Sequence, residues 1–266
     1  MDLYNKYSTI FTCGFQQSIE SKKGKSMSIS AVGKQSTNNV PLAFNKKGVI
    51  INNGASSLIE LKSLFEIKDI ISCEAFKSEL YKDTIEKIKK YDYIVLSGSS
   101  KHDAWDKRFE GQKKFIRETN KPIFGVCLGH QIIASAFNQE NRVVHRFSDL
   151  KREWKEELLR KKSIAINFSF PYLADNFPSL KGRYLRFYHG YYVSSNLSNL
   201  RVLQTCKDEK TGEIYALFIQ HKSRKVFSTQ GHPEYIDREY NDISLGKDLV
   251  NAVFLEWFGS SNTLYK

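Results

Sequence analysis

Short apolar runs alternate with segments of helical periodicity in the middle of this chain. The runs at 48–52, 69–73, 92–100 and 122–127 have the length of buried strands, and apolar residues recur at helical spacing between them. Such alternation requires crossover connections, which place helices on both faces of a parallel sheet. The sequence therefore predicts an α/β fold with a doubly wound, mostly parallel central sheet.

The part of the chain after residue 140 follows a different pattern. A charged segment at 148–162 is expected to form an exposed helix, and strand-like segments separated by turns follow it. These segments lie at 183–193, 201–206, 215–220 and 225–230, and an apolar helix is predicted at 249–258. We expect the C-terminal half to add antiparallel strands to the sheet.

The first 46 residues differ from the rest. The stretch 16–45 is rich in Ser, Lys, Asn and Gln and has little periodicity, a composition that buries too little apolar surface to order itself. We therefore expect a flexible or loosely docked extension at 1–46, followed by a single domain at 47–266.

The chain is basic, with 41 Lys and Arg against 29 Asp and Glu. Such a charge is found in proteins that bind nucleic acid, acidic partners or anionic substrates. No nucleic-acid recognition motif accompanies it, so nucleic-acid binding rests on charge alone and is not expected. The four cysteines are widely spaced, and no signal peptide or apolar run of membrane-spanning length is present. A cytoplasmic location without membrane association is expected.

The stretch FGVCLGHQ at 124–131 places Cys127 between two glycines where a strand gives way to a helix. G-x-C-x-G in this context is typical of a nucleophile elbow, a sharp turn that exposes the reactive side chain. A sulfur at a helix N terminus is also placed where negative charge is favoured. The pattern predicts that Cys127 is a nucleophile. A structural cysteine of the core, packed between two glycines, would have the same sequence pattern.

Two further segments could supply the partners that a cysteine nucleophile needs. His232 follows the predicted strand at 225–230, and Glu234 stands two residues on, close enough to orient the imidazole. The strand in the run at 92–100 ends in Gly98, where backbone N–H groups could join that of Leu128 in an oxyanion hole. Solvated loop residues and an ordinary Gly/Ser turn are the alternatives.

In order and spacing, LSGSS, GVCLGHQ and GHPE together resemble the class I glutamine amidotransferase domain, over about residues 47–258. SGSSKHDAWD and KTGEIYALFI are most similar to the GMP-synthetase-like branch and to plant γ-glutamyl peptidases. The resemblance implies the flavodoxin-like fold of that family and a Cys-His-Glu hydrolase of γ-glutamyl amides. It makes Cys127 the nucleophile, His232 the general base and acid, and Glu234 its orienting residue.

The resemblance also implies a pocket for the glutamyl group, with no metal or organic cofactor. Gln131, Ser99, His189, Gly190 and Tyr191 are the residues that it places there. Relatives commonly carry an acidic residue where Tyr191 stands, which would hold the ammonium of free glutamine. A tyrosine offers that charge only a hydroxyl or a ring face.

Three functions follow as alternatives. The first is a glutaminase that passes ammonia to a separate synthetase, because no synthetase domain is present in these 266 residues. The second is a stand-alone peptidase acting on γ-glutamyl peptides or conjugates. The third is a catalytically silent regulatory or binding module on the same fold, which the presence of all three triad residues argues against.

Overall fold

The computed structural model describes residues 45–139, 142–147, 160–166, 180–207, 212–235 and 244–259. The expected N-terminal extension lies outside these ranges except for its last two residues, as does the 148–159 part of the expected charged helix. Among the described helices, none is long and apolar enough to cross a membrane.

The described chain contains eleven strands and five helices, with short 3-10 turns at Cys73–Phe76 and Lys107–Phe109. The strands are β1 Gly48–Asn52, β2 Ile70–Ser72, β3 Tyr93–Leu96, β4 Ile123–Val126, β5 Val144–Arg146, β6 Arg160–Ala165, β7 Tyr184–His189, β8 Tyr191–Ser194, β9 Leu200–Lys207, β10 Ile214–His221 and β11 Val226–Thr229. The helices are α1 Leu58–Phe65, α2 Tyr81–Lys89, α3 Glu110–Glu118, α4 Leu128–Phe137 and α5 Leu245–Phe258.

The main sheet has the strand order β2-β1-β3-β4-β11-β10-β8-β5, and β9 pairs with β10. The first five strands in this order run parallel to one another. The pairs that β10 makes with β11, β8 and β9, and the β5–β8 pair, are antiparallel. The predicted fold class, a mostly parallel sheet with antiparallel strands added in the C-terminal half, is confirmed.

Helices cover both faces of this sheet because successive strand residues point to opposite faces. Ile50 of β1 packs on the face shared by α1 and α5, whereas Val49 and Ile51 pack on the face covered by α2, α3 and α4. Each such fully buried aliphatic side chain contributes about 1.5–3 kcal/mol relative to exposure. The two cores hold the central strands in place, and these strands carry the candidate site at their ends.

Two segments differ from the sequence expectation. Residues 160–162, expected to end a helix, belong to strand β6, which pairs antiparallel with β7 from Arg160↔His189 to Ala165↔Tyr184. The expectation for these three residues was wrong, because pairing with β7 decides the conformation of charged residues with no strong strand preference of their own. The predicted strand segment at 183–193 is divided at Gly190 into β7 and β8, which belong to different sheets.

Candidate active site

The three sequence motifs meet because the strands that carry them are neighbours. β4 lies between β3 and β11, with Leu96 opposite Gly125 and Thr229 opposite Val126. The carboxyl ends of these three parallel strands therefore share one edge of the sheet, the edge where ligands bind in open α/β folds. Gly98, Cys127 and His232 follow β3, β4 and β11 respectively.

Cys127 forms a sharp turn between β4 and α4. Its backbone has φ 52° and ψ −105°. Residues other than glycine rarely adopt this conformation, which costs about 1–3 kcal/mol. Its N–H donates to the Thr229 carbonyl at 2.9 Å, which continues the β4–β11 ladder, and its carbonyl accepts the Gln131 N–H at 3.2 Å. The residue thus ends the strand and caps the ten-residue helix at once.

The glycines beside the turn are required by close packing. A Cβ at Gly129 would lie 2.4 Å from the Leu96 carbonyl oxygen, and one at Gly125 would lie 2.5 Å from Cδ1 of Ile133. Real Cβ atoms do not approach other atoms so closely. The glycines let α4 start directly against β3, which holds its N terminus beside the sulfur of Cys127.

His232 and Glu234 form a buried pair beside Cys127. The His232 Nδ1 atom lies 2.8 Å from Oε1 of Glu234, and that same oxygen accepts a hydrogen bond from the Ser57 hydroxyl at 2.8 Å. On the other side of the ring, Nε2 lies 3.4 Å from the carbonyl oxygen of Tyr188. The Cys127 Sγ lies 3.9 Å from that same oxygen, so Nε2 and the sulfur face a common point.

The surroundings of His232 favour its protonated form. Burial by itself lowers the pKa of the imidazole, but the Glu234 carboxylate and the Cys127 sulfur outweigh it and hold the pKa well above the ordinary value of 6.5. An imidazolium at this position can stabilise a cysteine thiolate and can later donate a proton. The three side chains therefore have the geometry and the charge of a nucleophile, an acid–base group and its orienting carboxylate.

Gly98 and Leu128 stand where the sequence predicts oxyanion donors. A Cβ at Gly98 would lie 3.2 Å from the Cβ of Cys127 and 3.6 Å from Cε1 of His232, so the backbone of the β3 loop passes directly over the pair. Leu128 is the first residue of α4, and first-turn N–H groups have no partner within a helix. The carbonyl oxygen of a substrate bound at the Cys127 sulfur would therefore lie between the backbone of the Gly98 loop and the first turn of α4.

A cavity of about 390 Å³ opens over Cys127 and His232. All five residues predicted for the glutamyl pocket line it: Ser99, Gln131, His189, Gly190 and Tyr191. Gln131 is fixed by hydrogen bonds from its Nε2 to Oε1 of Gln230 at 3.1 Å and to the Tyr191 carbonyl at 3.4 Å. The Ser99 hydroxyl accepts the N–H groups of Lys101 and His102, so it shapes the loop.

The structure adds residues to the site that sequence analysis did not find. Ser57 precedes α1, and only the fold brings its hydroxyl to Glu234. Three charged residues, Lys101, Asp103 and Arg146, also line the cavity. Lys101 and Asp103 belong to the SGSSKHDAWD segment, but sequence analysis assigned them no role in the site, and Arg146 ends the short strand β5, outside the three motifs.

His130 lies one turn after Cys127 and faces away from the cavity into the protein. It is fully buried, and its Nδ1 lies 2.9 Å from the Ser228 hydroxyl. Burial lowers the pKa of His130 to about 3, so the ring is neutral at physiological pH. The His130–Ser228 contact ties α4 to β11, the strand that leads to His232.

Among the described residues, no three His, Cys, Asp or Glu side chains are grouped as metal ligands would be. The polar groups of the cavity are instead arranged around one sulfur atom. That arrangement is suited to acyl transfer through a covalent intermediate.

Comparison with known proteins identifies the family. The glutamine amidotransferase class-I family model matches residues 49–252. This chain belongs to the class I glutamine amidotransferase family. The match covers the three motifs at Gly98, Cys127 and His232 together with the strands that carry them.

Individual relatives agree with this placement. The chain is 27% identical over 195 residues to the bifunctional protein TrpGD of Thermotoga maritima. This alignment covers 72% of this chain and 30% of TrpGD. It is 29% identical over 178 residues to anthranilate synthase component 2 of Methanocaldococcus jannaschii. That alignment covers 64% of this chain and 78% of the relative. This chain spans less than a third of the length of TrpGD.

A solved structure supports the fold. The glutaminase domain of Trypanosoma brucei CTPS with bound acivicin superposes with a TM-score of 0.57 and 14% identity, over 78% of this chain and 92% of that domain. At this identity the likeness shows the shared architecture of sheet and helices.

Proposed function

We propose that this amidotransferase family member hydrolyses γ-glutamyl amide bonds with Cys127, His232 and Glu234. The observation that carries the proposal is their convergence: the Cys127 sulfur and Nε2 of His232 face a common point, with Glu234 bonded to the far side of the imidazole. Cys127 and His232 line the same cavity as all the residues predicted for the glutamyl pocket.

The reaction follows from this geometry in two steps. The Cys127 thiolate attacks the γ-carbonyl carbon, and the N–H groups of Gly98 and Leu128 stabilise the oxyanion. The C–N bond then breaks as His232 gives its proton to the departing nitrogen, leaving a γ-glutamyl thioester. Water attacks this thioester as His232 accepts the proton of the water, the C–S bond breaks, and glutamate leaves while the Cys127 thiolate and protonated His232 are regenerated.

Glutamine is the first candidate substrate, with ammonia passed to a separate synthetase. Support comes from the family and from the relative named as component 2 of anthranilate synthase. Stand-alone cleavage of γ-glutamyl peptides is the second candidate, favoured by Tyr191. Tyr191 lines the cavity at the position where relatives commonly have an acidic residue for the glutamine ammonium.

The test is glutamate release from glutamine and from γ-glutamyl peptides by the full chain and two cysteine variants. Cys127→Ala should abolish release from every substrate, whereas Cys73→Ala should retain it, because Cys73 is buried outside the cavity. A glutamyl adduct on Cys127, detected by intact-mass spectrometry after rapid acid quenching of the full chain and absent from Cys127→Ala, would support the thioester. Substantial turnover by Cys127→Ala would overturn the proposal.

A further inference from the structure

Three side chains of fixed charge line the cavity, and their charges do not cancel. They are Lys101, Asp103 and Arg146. None of them forms an ion pair with another described residue. Glu234 is bonded to Ser57 and His232 and is not among the residues that line the cavity, so it neutralises neither cation. These three side chains therefore give the lining a net charge of +1.

Two aromatic residues, Trp105 and Tyr191, connect the segments that carry Asp103 and Arg146. The Asp103 Oδ1 atom accepts the backbone N–H of Trp105 at 2.9 Å. The Trp105 ring packs edge-on against Tyr191 with centroids 5.2 Å apart, and the Arg146 guanidinium lies 5.6 Å from the Tyr191 ring centroid. The Tyr191 carbonyl also accepts a hydrogen bond from Nε2 of Gln131. The Arg146 guanidinium thus lies beside Tyr191, and the segment that carries Asp103 packs against the same residue through Trp105.

This pair matches the zwitterionic head of a γ-glutamyl group. The α-ammonium of that group needs a carboxylate, which Tyr191 itself lacks and which Asp103 supplies from the neighbouring loop. The α-carboxylate needs a cation, and Arg146 offers a guanidinium of the fitting geometry. Head recognition therefore uses one negative and one positive side chain and leaves Lys101 without a counterpart.

Lys101 lies in the loop after β3 that passes over Cys127 and His232. It follows Gly98 by three residues, in a loop that the Ser99 hydroxyl closes through the Lys101 N–H at 3.0 Å. Gly98 itself lies against His232, with 3.6 Å between its Cβ position and Cε1 of the ring. In the proposed reaction His232 protonates the leaving nitrogen, so the amine half of the substrate extends toward this loop.

We propose that Lys101 binds a carboxylate on the amine half of the substrate, which makes acidic γ-glutamyl peptides the substrate class of this site. The inference rests on the proposed hydrolysis of γ-glutamyl amides and names which of them fit. Glutamine carries no net charge and releases ammonia, which has nothing for Lys101 to bind. A γ-glutamyl dipeptide with a free C-terminal carboxylate carries one net negative charge, which balances the cavity.

The test compares two substrates that differ in that carboxylate alone, γ-glutamylglycine and γ-glutamylglycinamide, with glutamine as a third. We expect the full chain to release glutamate from γ-glutamylglycine with kcat/KM about fivefold higher than from the glycinamide, the size of one partly exposed ion pair. Lys101→Met should remove this preference, and Lys101→Arg should keep it. Lys87→Met, which removes an equal charge from the exposed surface of α2 outside the cavity, should leave it unchanged.

Raising the salt concentration gives an independent readout, because screening weakens an exposed ion pair. The preference for γ-glutamylglycine should shrink toward one at about 1 M salt. Equal kcat/KM for the two substrates, or a preference that survives in Lys101→Met, would overturn the assignment of Lys101 while glutamate release still supports the hydrolase. Absence of Cys127-dependent glutamate release from all three amides would overturn the hydrolase and the subsite together.

Discussion

The hydroxyl of Ser57 lies 2.8 Å from Oε1 of Glu234, although 177 positions separate the two residues in the chain. Ser57 is the N-cap residue of α1, yet its side chain makes no capping hydrogen bond. A serine at this position commonly uses its oxygen to accept a first-turn N–H. Here the hydroxyl instead donates to the carboxylate that orients His232, which assigns Ser57 a positioning role in the proposed site.

Ser57→Ala should therefore lower kcat about tenfold and leave KM nearly unchanged, the effect of losing one hydrogen bond to a charged group. The loss arises because Glu234 keeps only one of the two donors on Oε1 and holds the imidazole less firmly. Ser57→Thr, which keeps the hydroxyl, should recover most of the rate. Steady-state kinetics of both variants with one γ-glutamyl substrate decide the matter, and equal kcat for Ser57→Ala and the unaltered chain would contradict the role.

The raised pKa of His232 predicts how its ring titrates. Since the pKa in the folded protein lies above 6.5, the protonated ring is favoured by folding. This contribution to stability is fully present below pH 6.5 and is lost as the pH rises through the folded-state pKa. NMR titration of the His232 ring should give a midpoint above 6.5.

Removal of the sulfur tests the cause of that shift. Cys127→Ala takes away one of the groups that raise the pKa of His232, so the NMR midpoint should move down. Cys73→Ala, a buried cysteine outside the cavity, should leave the midpoint in place. The same midpoint in Cys127→Ala and the unaltered chain would show that the sulfur does not interact with the ring.

His130 gives stability the opposite dependence on pH. Its pKa is lowered from 6.5 to about 3 by burial, so below pH 6.5 the unfolded chain binds a proton that the folded chain cannot. The free energy of unfolding should fall by about 2 kcal/mol more between pH 7 and pH 5 than in His130→Gln, which does not titrate. Urea unfolding at the two pH values measures this difference, and parallel losses in both proteins would contradict it.

Asp103 should affect binding of every γ-glutamyl substrate alike. Asp103→Asn removes the carboxylate that is proposed to hold the α-ammonium, so KM should rise about fivefold for glutamine, γ-glutamylglycine and γ-glutamylglycinamide. The backbone turn at Trp105 should survive, because an asparagine oxygen still accepts its N–H. A rise confined to one of the three substrates would place Asp103 at a different part of the substrate.

The sequence was sufficient for the parts of the site that lie directly on the central strands. The elbow at Cys127 and the loop ends at Gly98 and His232 follow from strand patterns, because parallel neighbours bring their carboxyl ends together. Contacts made from other layers could not be predicted in this way. Ser57 is a helix cap by its local sequence, and only the packing of α1 onto the sheet shows that its hydroxyl contacts Glu234.

The C-terminal half shows why periodicity alone fails there. The segment at 183–193 alternates as one strand would, but it is interrupted at Gly190. The first piece, β7, pairs with β6, and the second piece, β8, pairs with β10 and β5. The Tyr188 carbonyl, two residues before this interruption, lies near both the Cys127 sulfur and His232. Pairing with distant strands, and not local conformational preference, decides where the two strands lie. The local sequence pattern therefore cannot predict this arrangement.

The backbone of Cys127 sets protein stability against activity in this enzyme family member. Its φ of 52° suits glycine, so Cys127→Gly would relieve strain that every active variant must keep. Directed evolution for heat resistance alone would reward the loss of the nucleophile. A thermostable library of this protein has to be screened for turnover in the same round, or its most stable members will be its inactive ones.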